Sequence, residues 1–242
     1  MAHNGTPQDE AAAKLLAILE AEPEIDVVGG PLAVRIDDEG RLSLEGEVRS
    51  VAAKRRAVGR AGVLADVITI VDRVRVAPER RFGDEEIRRR LLDLLGDEAA
   101  FADYDVRGVI GPEHSSTPAR SLTLRFRVED GVVVLDGMAG SLEHKRLAGV
   151  LAWWTPGTRD VLNRVVVDPP EADGDGELTE AVRTALDKDP LVDGQAIEVL
   201  VAGGIVRLAG VVRTDEERQV AETDAWYVLG VDDVINDLHV ER

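Results

Sequence analysis

The chain has little or none of several residue types on which whole classes of function depend. It contains no cysteine, four histidines and 3% aromatic residues. Without thiols it has no disulfide framework, no Cys-ligated metal site and no cysteine nucleophile. The histidines are not spaced as metal ligands, and the sequence holds no phosphate-binding loop, dinucleotide fingerprint or nucleophile elbow. We therefore expect neither enzymatic activity nor a cofactor. The histidines are His3, His114, His144 and His239.

Basic residues are also scarce relative to acidic ones. The chain has 29 Lys and Arg against 47 Asp and Glu, a net charge of −18. Such a charge repels a phosphate backbone, so we expect no nucleic-acid partner. No apolar run approaches the length of a membrane-spanning helix, and the first residues hold neither a basic nor an apolar leader. We therefore expect a cytoplasmic protein without a transmembrane segment.

What the chain does contain is an internal repeat. Residues 41–76, 132–167 and 205–240 align with one another without a gap, which indicates three copies of one structural unit. Each copy has a Leu-x-Gly triplet followed by two alanines four residues apart, which share one face of a helix. The repeated glycines and alanines are Gly46, Gly137, Gly210, Ala57, Ala61, Ala148, Ala152, Ala221 and Ala225.

Every copy shows the same order of predicted elements. An amphipathic helix comes first, followed by an alternating strand, a glycine-bearing turn and a second strand that ends at the Leu-x-Gly triplet. A second helix then begins after Ser50, Ser141 or Thr214, which stand at the N-cap position, and a third strand follows. The pattern predicts an α+β protein of three tandem α-β-β-α-β modules, each a three-stranded sheet with two helices on one face. The strand order stays open.

The same alignment predicts the module boundaries. We place module one at 8–77, module two at 83–168 and module three at 176–242. The acidic, Pro/Gly-containing segment 169–175 is interpreted as a linker, so we expect module three to be the more mobile module. Module two carries an insertion at 108–121, interpreted as a surface loop that is either a binding loop or disordered.

Two sets of residues recur at matching positions and favour structural roles. Gly46, Gly137 and Gly210 end a strand, where glycine permits a positive φ or a close backbone approach. Asn163 and Asn236 precede the last strand of modules two and three, where an amide can bond local backbone groups.

The aromatic residues near the end of the second helix are the candidate partner-binding residues. Trp153, Trp154, Trp226 and Tyr227 occupy matching positions in modules two and three. Neighbouring helical residues point about 100° apart, so these rings cannot all face one core. They pack between repeats or at a helix end, or they form an interface for a partner or a lipid.

The repeat resembles the BON domain, named for bacterial osmotically inducible and nodulation proteins. In module three the resemblance rests on Gly204–Gly210, on Ala221 and on the segment Gly230–Val240. Module two keeps the same pattern, whereas module one departs most, with Ala65-Asp66 where the others have Gly-Val and Asp72 where they have asparagine. The resemblance covers nearly the whole chain.

The resemblance implies a non-enzymatic, stress-associated binding protein that engages a protein partner or a phospholipid surface. The alternative that it implies is a sensor of the monovalent cation K⁺. An anionic membrane requires a segregated basic patch, for which the arginines at 80–81 and 88–90 are candidates; the alternative is that they form a solvated helix face.

Overall fold

The residues predicted to cap the second helix of each module do so in a computed structural model, which describes residues 7–62, 69–111 and 122–241. The Oγ atoms of Ser50 and Ser141 accept hydrogen bonds of 3.1 Å from backbone N–H groups three residues later. Thr214 Oγ1 accepts one of 3.0 Å in the same way. Each bond satisfies a donor that the first helical turn leaves without an intrahelical partner.

The chain divides into two compact units, and the first, ending at Ala77, is module one. Its central strand pairs antiparallel with the first strand and parallel with the third, so the second helix crosses over between two parallel strands. Leu42 and Leu44 of the central strand are fully buried with Leu15 of the first helix and with Ala57 and Ala61 of the second. The elements are α1 Pro7–Ala21, β1 Val27–Ile36, β2 Arg41–Val48, α2 Val51–Gly62 and β3 Thr69–Val76.

The second unit begins at Pro78 and contains modules two and three. In module two, Leu124, Phe126 and Leu135 form a core with residues of both helices on one face of the sheet. The helices are α3 Asp84–Asp97 and α4 Leu142–Trp154, and a short 3-10 helix spans Ala99–Phe101. The strands are β4 Asp105–Gly108, β5 Thr123–Glu129, β6 Val132–Ala139, β7 Asp160–Asn163 and β8 Val166–Val167.

The α+β fold is confirmed, but the sheet of module two has five strands and not the three that we predicted. β4 pairs parallel with β5 at an edge for which the repeat offers no counterpart, and its Val106 packs against the core. The final strand is interrupted between β7 and β8, where Arg164 N donates to Leu135 O. Of the predicted insertion at 108–121, residues 112–121 lie outside the described part of the chain.

Module three repeats the topology of module one. Its central strand again pairs antiparallel with the preceding strand and parallel with the last one. Leu208, Ala221 and Ala225 are fully buried, at positions that match the core leucine and alanines of the other modules. The elements are α5 Asp175–Lys188, β9 Ile197–Ala202, β10 Ile205–Val212, α6 Asp215–Tyr227 and β11 Asp233–Val240, with a 3-10 helix at Gly194–Ala196.

The acidic segment at 169–175 is bonded to module two. Glu171 Oε2 accepts a hydrogen bond of 2.7 Å from Leu142 N, and Asp173 pairs with Arg146 at 2.5 Å. Modules two and three belong to one compact unit; that module three is the more mobile module stays a prediction. The acidic side chains of this segment suggested a solvated linker, but Glu171 and Asp173 accept hydrogen bonds from residues of α4.

Candidate functional site

The repeated glycines lie where the central strand of each sheet passes close to the preceding strand. Gly46, Gly137 and Gly210 have φ values of 149°, 130° and 135°. A Cβ atom at Gly137 would overlap the carbonyl oxygen of Thr123, and one at Gly210 would overlap that of Ala196. A Cβ at Gly46 would lie 2.6 Å from Leu32 Cδ2. A side chain at any of these positions would overlap a neighbouring atom, so the glycines have a structural role.

The repeated asparagines join the last strand of a module to its second helix. Asn163 Nδ2 donates to Lys145 O at 2.7 Å, and Asn236 Nδ2 donates to Arg218 O at 3.1 Å. Each asparagine also accepts, through Oδ1, a hydrogen bond from the backbone N–H two residues later. The amide therefore accepts from a local backbone N–H and donates to a backbone carbonyl of the second helix, 18 residues earlier in the chain.

The four aromatic residues separate into a core residue and a cluster at the junction of modules two and three. Trp226 is buried in module three with 1% of its surface exposed. The rings of Trp153 and Tyr227 stack across the junction, with centroids 5.6 Å apart and planes 5° apart. Trp153 and Trp226 occupy matching positions of the repeat. The residue at this position packs in the core of module three, but in module two it makes a contact between modules.

Trp154 makes a polar contact across the same junction. Its Nε1 donates a hydrogen bond of 2.7 Å to Oδ1 of Asp224, which is 1% exposed. Burial raises the pKa of Asp224 to about 8; the Trp154 hydrogen bond opposes this shift and the neighbouring Asp189 carboxylate adds to it. Asp224 is therefore largely protonated at neutral pH. Burial and the two aspartates also raise the pKa of Tyr227, to about 12.

Two further contacts join modules two and three. The buried Arg146 of α4 donates from Nε to Leu229 O at 2.9 Å, in addition to its ion pair with Asp173. Lys188 at the end of α5 pairs with Glu98 of module two at 2.8 Å. Burial opposes the ionisation of Glu98, but the Lys188 ammonium group and the Ala100 N–H lower its pKa.

The ends of α4 and α6 and the segment after α5 form a cleft of about 520 Å³, which we call the junction cleft. This volume lies within the range of ordinary ligand pockets. The aromatic residues Trp153, Trp154 and Tyr227 and the carboxyl groups of Asp189, Glu216 and Asp224 line it together with Pro190 and polar residues of α6. No lysine, arginine or histidine is present among the described residues that line it. This combination can hold an apolar or cationic group.

Asp189 and Asp224, which line the cleft, and Arg146, which joins the two modules outside it, were not among the predicted site residues. One signal was available for Asp224, since the self-alignment places it opposite Leu151, a core residue of module two. An aspartate at a core position is costly unless it has partners, and so it marks a position with a different environment. No comparable signal identifies Asp189.

The other candidate features do not form a site. The α3 arginines Arg88, Arg89 and Arg90 pair with Glu85, Asp93 and Glu86 on the same helix, as expected for a solvated helix face. No group of three or more His, Asp or Glu side chains in the described parts of the chain is placed to hold a metal ion. None of the described helices has the length and apolar character needed to cross a membrane. His114 lies outside the described residues.

Comparison with known families decides where this repeat belongs. The family model of the BON domain matches residues 7–78, 118–169 and 174–242, which together make up most of the chain. The chain belongs to the BON domain family. The three BON matches confirm the three tandem modules. The second match begins after α3, although Ile87 of that helix is buried in the same core as the matched strands.

BON domains are binding domains, and phospholipid is a ligand proposed for the family. No curated protein matches the chain. Two similar solved structures are of CdsD, a structural protein of the type III secretion system of Chlamydia trachomatis, and one of them is its C-terminal domain. Both are 15% identical to this chain. The alignment with the C-terminal domain has a TM-score of 0.26 and covers 98% of this chain and 100% of that one. The other has a TM-score of 0.25 and covers 96% and 92%.

Proposed function

We propose that this BON protein is a non-enzymatic binding or adaptor protein and that modules two and three act as one platform for a protein partner. The observation that carries the proposal is the junction cleft, which combines half-buried aromatic rings with carboxyl groups between two joined modules. Aromatic residues are enriched where proteins bind one another, because a ring gives a large contact area at a small entropic cost. An association with stress is part of the proposal and is supported only by the family resemblance.

A protein partner is favoured over a phospholipid surface by the surroundings of the candidate groups. The arginines of α3 that could have met anionic headgroups are paired with acids of their own helix. The aromatic residues are engaged in a stack, in a hydrogen bond to Asp224 and in a core, whereas rings that insert into a membrane stand exposed at its surface. The net charge of −18 adds a general repulsion from anionic lipid.

The K⁺ sensor remains the alternative function, and no contact in the described residues favours it over a protein-binding role. A titration with KCl or NaCl, followed by tryptophan fluorescence, distinguishes the two functions. A response to KCl that NaCl does not reproduce would support the sensor. Equal responses at matched ionic strength would count against it.

The proposed function is tested by photo-crosslinking in cells. Gln219 is exposed and lines the junction cleft, so Gln219→benzoylphenylalanine places a crosslinker there. Glu198 is exposed on β9 of the same module and provides the matched control, Glu198→benzoylphenylalanine. We expect discrete protein adducts from position 219 and not from position 198. Adducts from neither position, together with co-flotation of the purified chain on phospholipid vesicles, would contradict a protein partner.

A further inference from the structure

We propose that the junction cleft recognises a lysine or arginine side chain on an extended segment of the partner. This inference rests on the proposed function and names the chemistry of the group that the cleft would bind. It follows from the charge of the cleft, from a buried oxygen without a donor, from the aromatic lining and from a second cavity beside the first.

The first observation is the charge of the lining. Asp189, Glu216 and Asp224 come from two different segments and converge on one cleft, while the described residues lining it include no basic side chain. Asp189 also accepts a hydrogen bond from Leu191 N at 2.8 Å, which fixes its carboxylate beside the cleft. A cation entering the cleft therefore meets acidic groups without a competing internal cation.

The second observation is an unsatisfied acceptor. Asp224 is 1% exposed and its Oδ1 accepts from Trp154, while no N–H or O–H group of the described residues donates to its buried Oδ2. The proton that Asp224 retains is shared with the neighbouring Asp189 carboxylate. When that proton leaves, the two carboxylates face each other without a donor, which is costly at a buried site. An ammonium or guanidinium group has donors only, so it can satisfy this oxygen.

The ionisation of Asp224 couples to this binding. The groups that face it from the packed elements are Trp154 of α4, Asp189 after α5 and Tyr227 of its own helix. Because the pKa of Asp224 is about 8, a cation that binds the carboxylate displaces its proton at neutral pH. Binding should therefore release a proton and should tighten as the pH rises from 6 to 8.5.

The third observation is the placement of the aromatic residues. Trp153 and Tyr227 are stacked beside Asp224, and Trp154 is bonded to it. Aromatic rings attract cations through their quadrupole, and rings combined with carboxylates bind organic cations in many proteins. A bare metal ion makes no use of such a lining, whereas the aliphatic stem of a lysine or arginine does.

A neighbouring cavity favours a peptide over a free amine. A second cavity of about 460 Å³ shares Pro190 and Glu216 with the junction cleft and continues past Leu191, which is 64% exposed. The two cavities adjoin at these shared residues and offer room for the residues beside the cationic side chain. Arg213 lines the second cavity and is paired there with Asp193. An apolar neighbour in the peptide can contact Leu191.

The test is calorimetric titration of the full chain with the peptide acetyl-Ala-Lys-Leu-Ala-amide. A matched peptide carries norleucine in place of lysine and keeps the stem without the charge. The variant Asp189→Asn/Asp224→Asn removes two carboxylates and leaves an oxygen at position 224 to accept from Trp154. The control Asp237→Asn removes a carboxylate that pairs with Arg207 on the opposite face of the sheet. Near-ultraviolet circular dichroism verifies the fold of each variant.

We expect the lysine peptide to bind at least tenfold more tightly than the norleucine peptide. We expect at least a tenfold loss in the double variant, no loss in Asp237→Asn, and a pH dependence that Asp224→Asn alone removes. Equal affinity for both peptides would overturn the inference. So would choline or phosphatidylcholine vesicles that compete as well as the lysine peptide does.

The crosslinking experiment separates this inference from the proposed function. Adducts at position 219 that persist in the double variant would keep the protein partner and reject cation recognition. Loss of those adducts in the folded double variant, together with lost peptide affinity, would support both. Peptide binding without any adduct at position 219 would reject the partner interface and retain the cation site.

Discussion

Module one and modules two and three join the last strand to the second helix with different chemistry. In modules two and three, Asn163 and Asn236 donate to the backbone carbonyls of Lys145 and Arg218. Module one has Asp72 at this position, and a carboxylate cannot donate.

The donor in module one comes from the helix instead. Lys54, which matches Lys145 and Arg218, is 6% exposed; its Nζ donates to Asp72 Oδ2 at 2.6 Å and to Val74 O at 2.7 Å. Asp72 Oδ1 still accepts from the backbone N–H two residues later, as the asparagines do. The strand-to-helix connection is therefore retained in all three modules, but its donor lies on the helix in module one and on the last strand in modules two and three.

Tryptophan fluorescence distinguishes the two units in a stability experiment. All three tryptophans, at 153, 154 and 226, belong to modules two and three, and the segment 1–77 has no aromatic residue. Fluorescence therefore reports unfolding of the second unit, while far-ultraviolet circular dichroism reports both.

The largest effect on stability is expected at the repeated glycine of the central strand, which has different neighbouring atoms in different modules. Gly210→Ala would place a methyl group on the Ala196 carbonyl at a φ of 135°, so we expect a loss of about 3 kcal/mol or more. Gly46→Ala meets the end of the flexible Leu32 side chain, and we expect a smaller loss of about 1–2 kcal/mol. Urea denaturation measures both. Equal losses would show that backbone conformation alone sets the cost.

The next effect concerns Asp224 of module three, at the position where module two has the core residue Leu151. Its folded pKa of about 8 lies above the ordinary value of 3.8, so the native state retains a proton that the unfolded chain releases between these pH values. Stability of the second unit should fall as the pH rises from about 4 to about 8. Asp224→Asn should remove this dependence and add of the order of a few kcal/mol at pH 8. Parallel pH profiles of the two proteins, followed by fluorescence, would contradict the assignment.

A third effect tests whether the Lys54–Asp72 pair substitutes for the asparagine. Lys54→Met leaves the Asp72 carboxylate, whose side chain is 30% exposed, without its main partner, and we expect a loss of about 2 kcal/mol. The double variant Lys54→Met/Asp72→Asn introduces the asparagine of the other modules, whose amide can donate to the backbone carbonyl of residue 54, and should recover at least half of that loss. Circular dichroism of urea unfolding measures this effect. Lys145→Met is the control at the matching position. A double variant no more stable than Lys54→Met would show that the Lys54–Asp72 pair does not do the work of the asparagine.

The smallest effects should be alike in all modules. Ser50→Ala, Ser141→Ala and Thr214→Ala each remove one capping hydrogen bond of about 3 Å, and each should cost about 1 kcal/mol. The denaturation midpoint of the corresponding unit measures the cost. A loss confined to one module would show that the caps are not equivalent despite their matching geometry.

The repeat, the element order and the caps could be predicted from the sequence because they depend on local patterns. Alternating apolar residues, a serine or threonine before a helix and alanines four residues apart act within a few residues of themselves. The strand order could not be predicted, since a hairpin followed by a crossover permits more than one arrangement. The extra strand β4 was missed because its four residues carry one core contact, that of Val106.

The candidate site was predicted only in part. The aromatic residues stood out because the chain has few of them, but Trp226 packs in a core while Trp153 at the matching position stacks on Tyr227. The acidic segment 169–175 had the composition of a linker, yet Asp173 and Glu171 bond to α4. Composition describes a residue's own chemistry and does not identify the neighbour that it will meet.

By itself, the amino-acid sequence determined that this protein is three copies of one helix-and-sheet module, because periodicity and capping are properties of neighbouring residues. Only the tertiary structure decided that modules two and three share a junction, and that Asp189, Asp224 and three aromatic rings meet there. Residues 154 and 224 lie far apart along the chain and are joined by a hydrogen bond of 2.7 Å. That proximity depends on how α4, α5 and α6 pack, which no local pattern encodes.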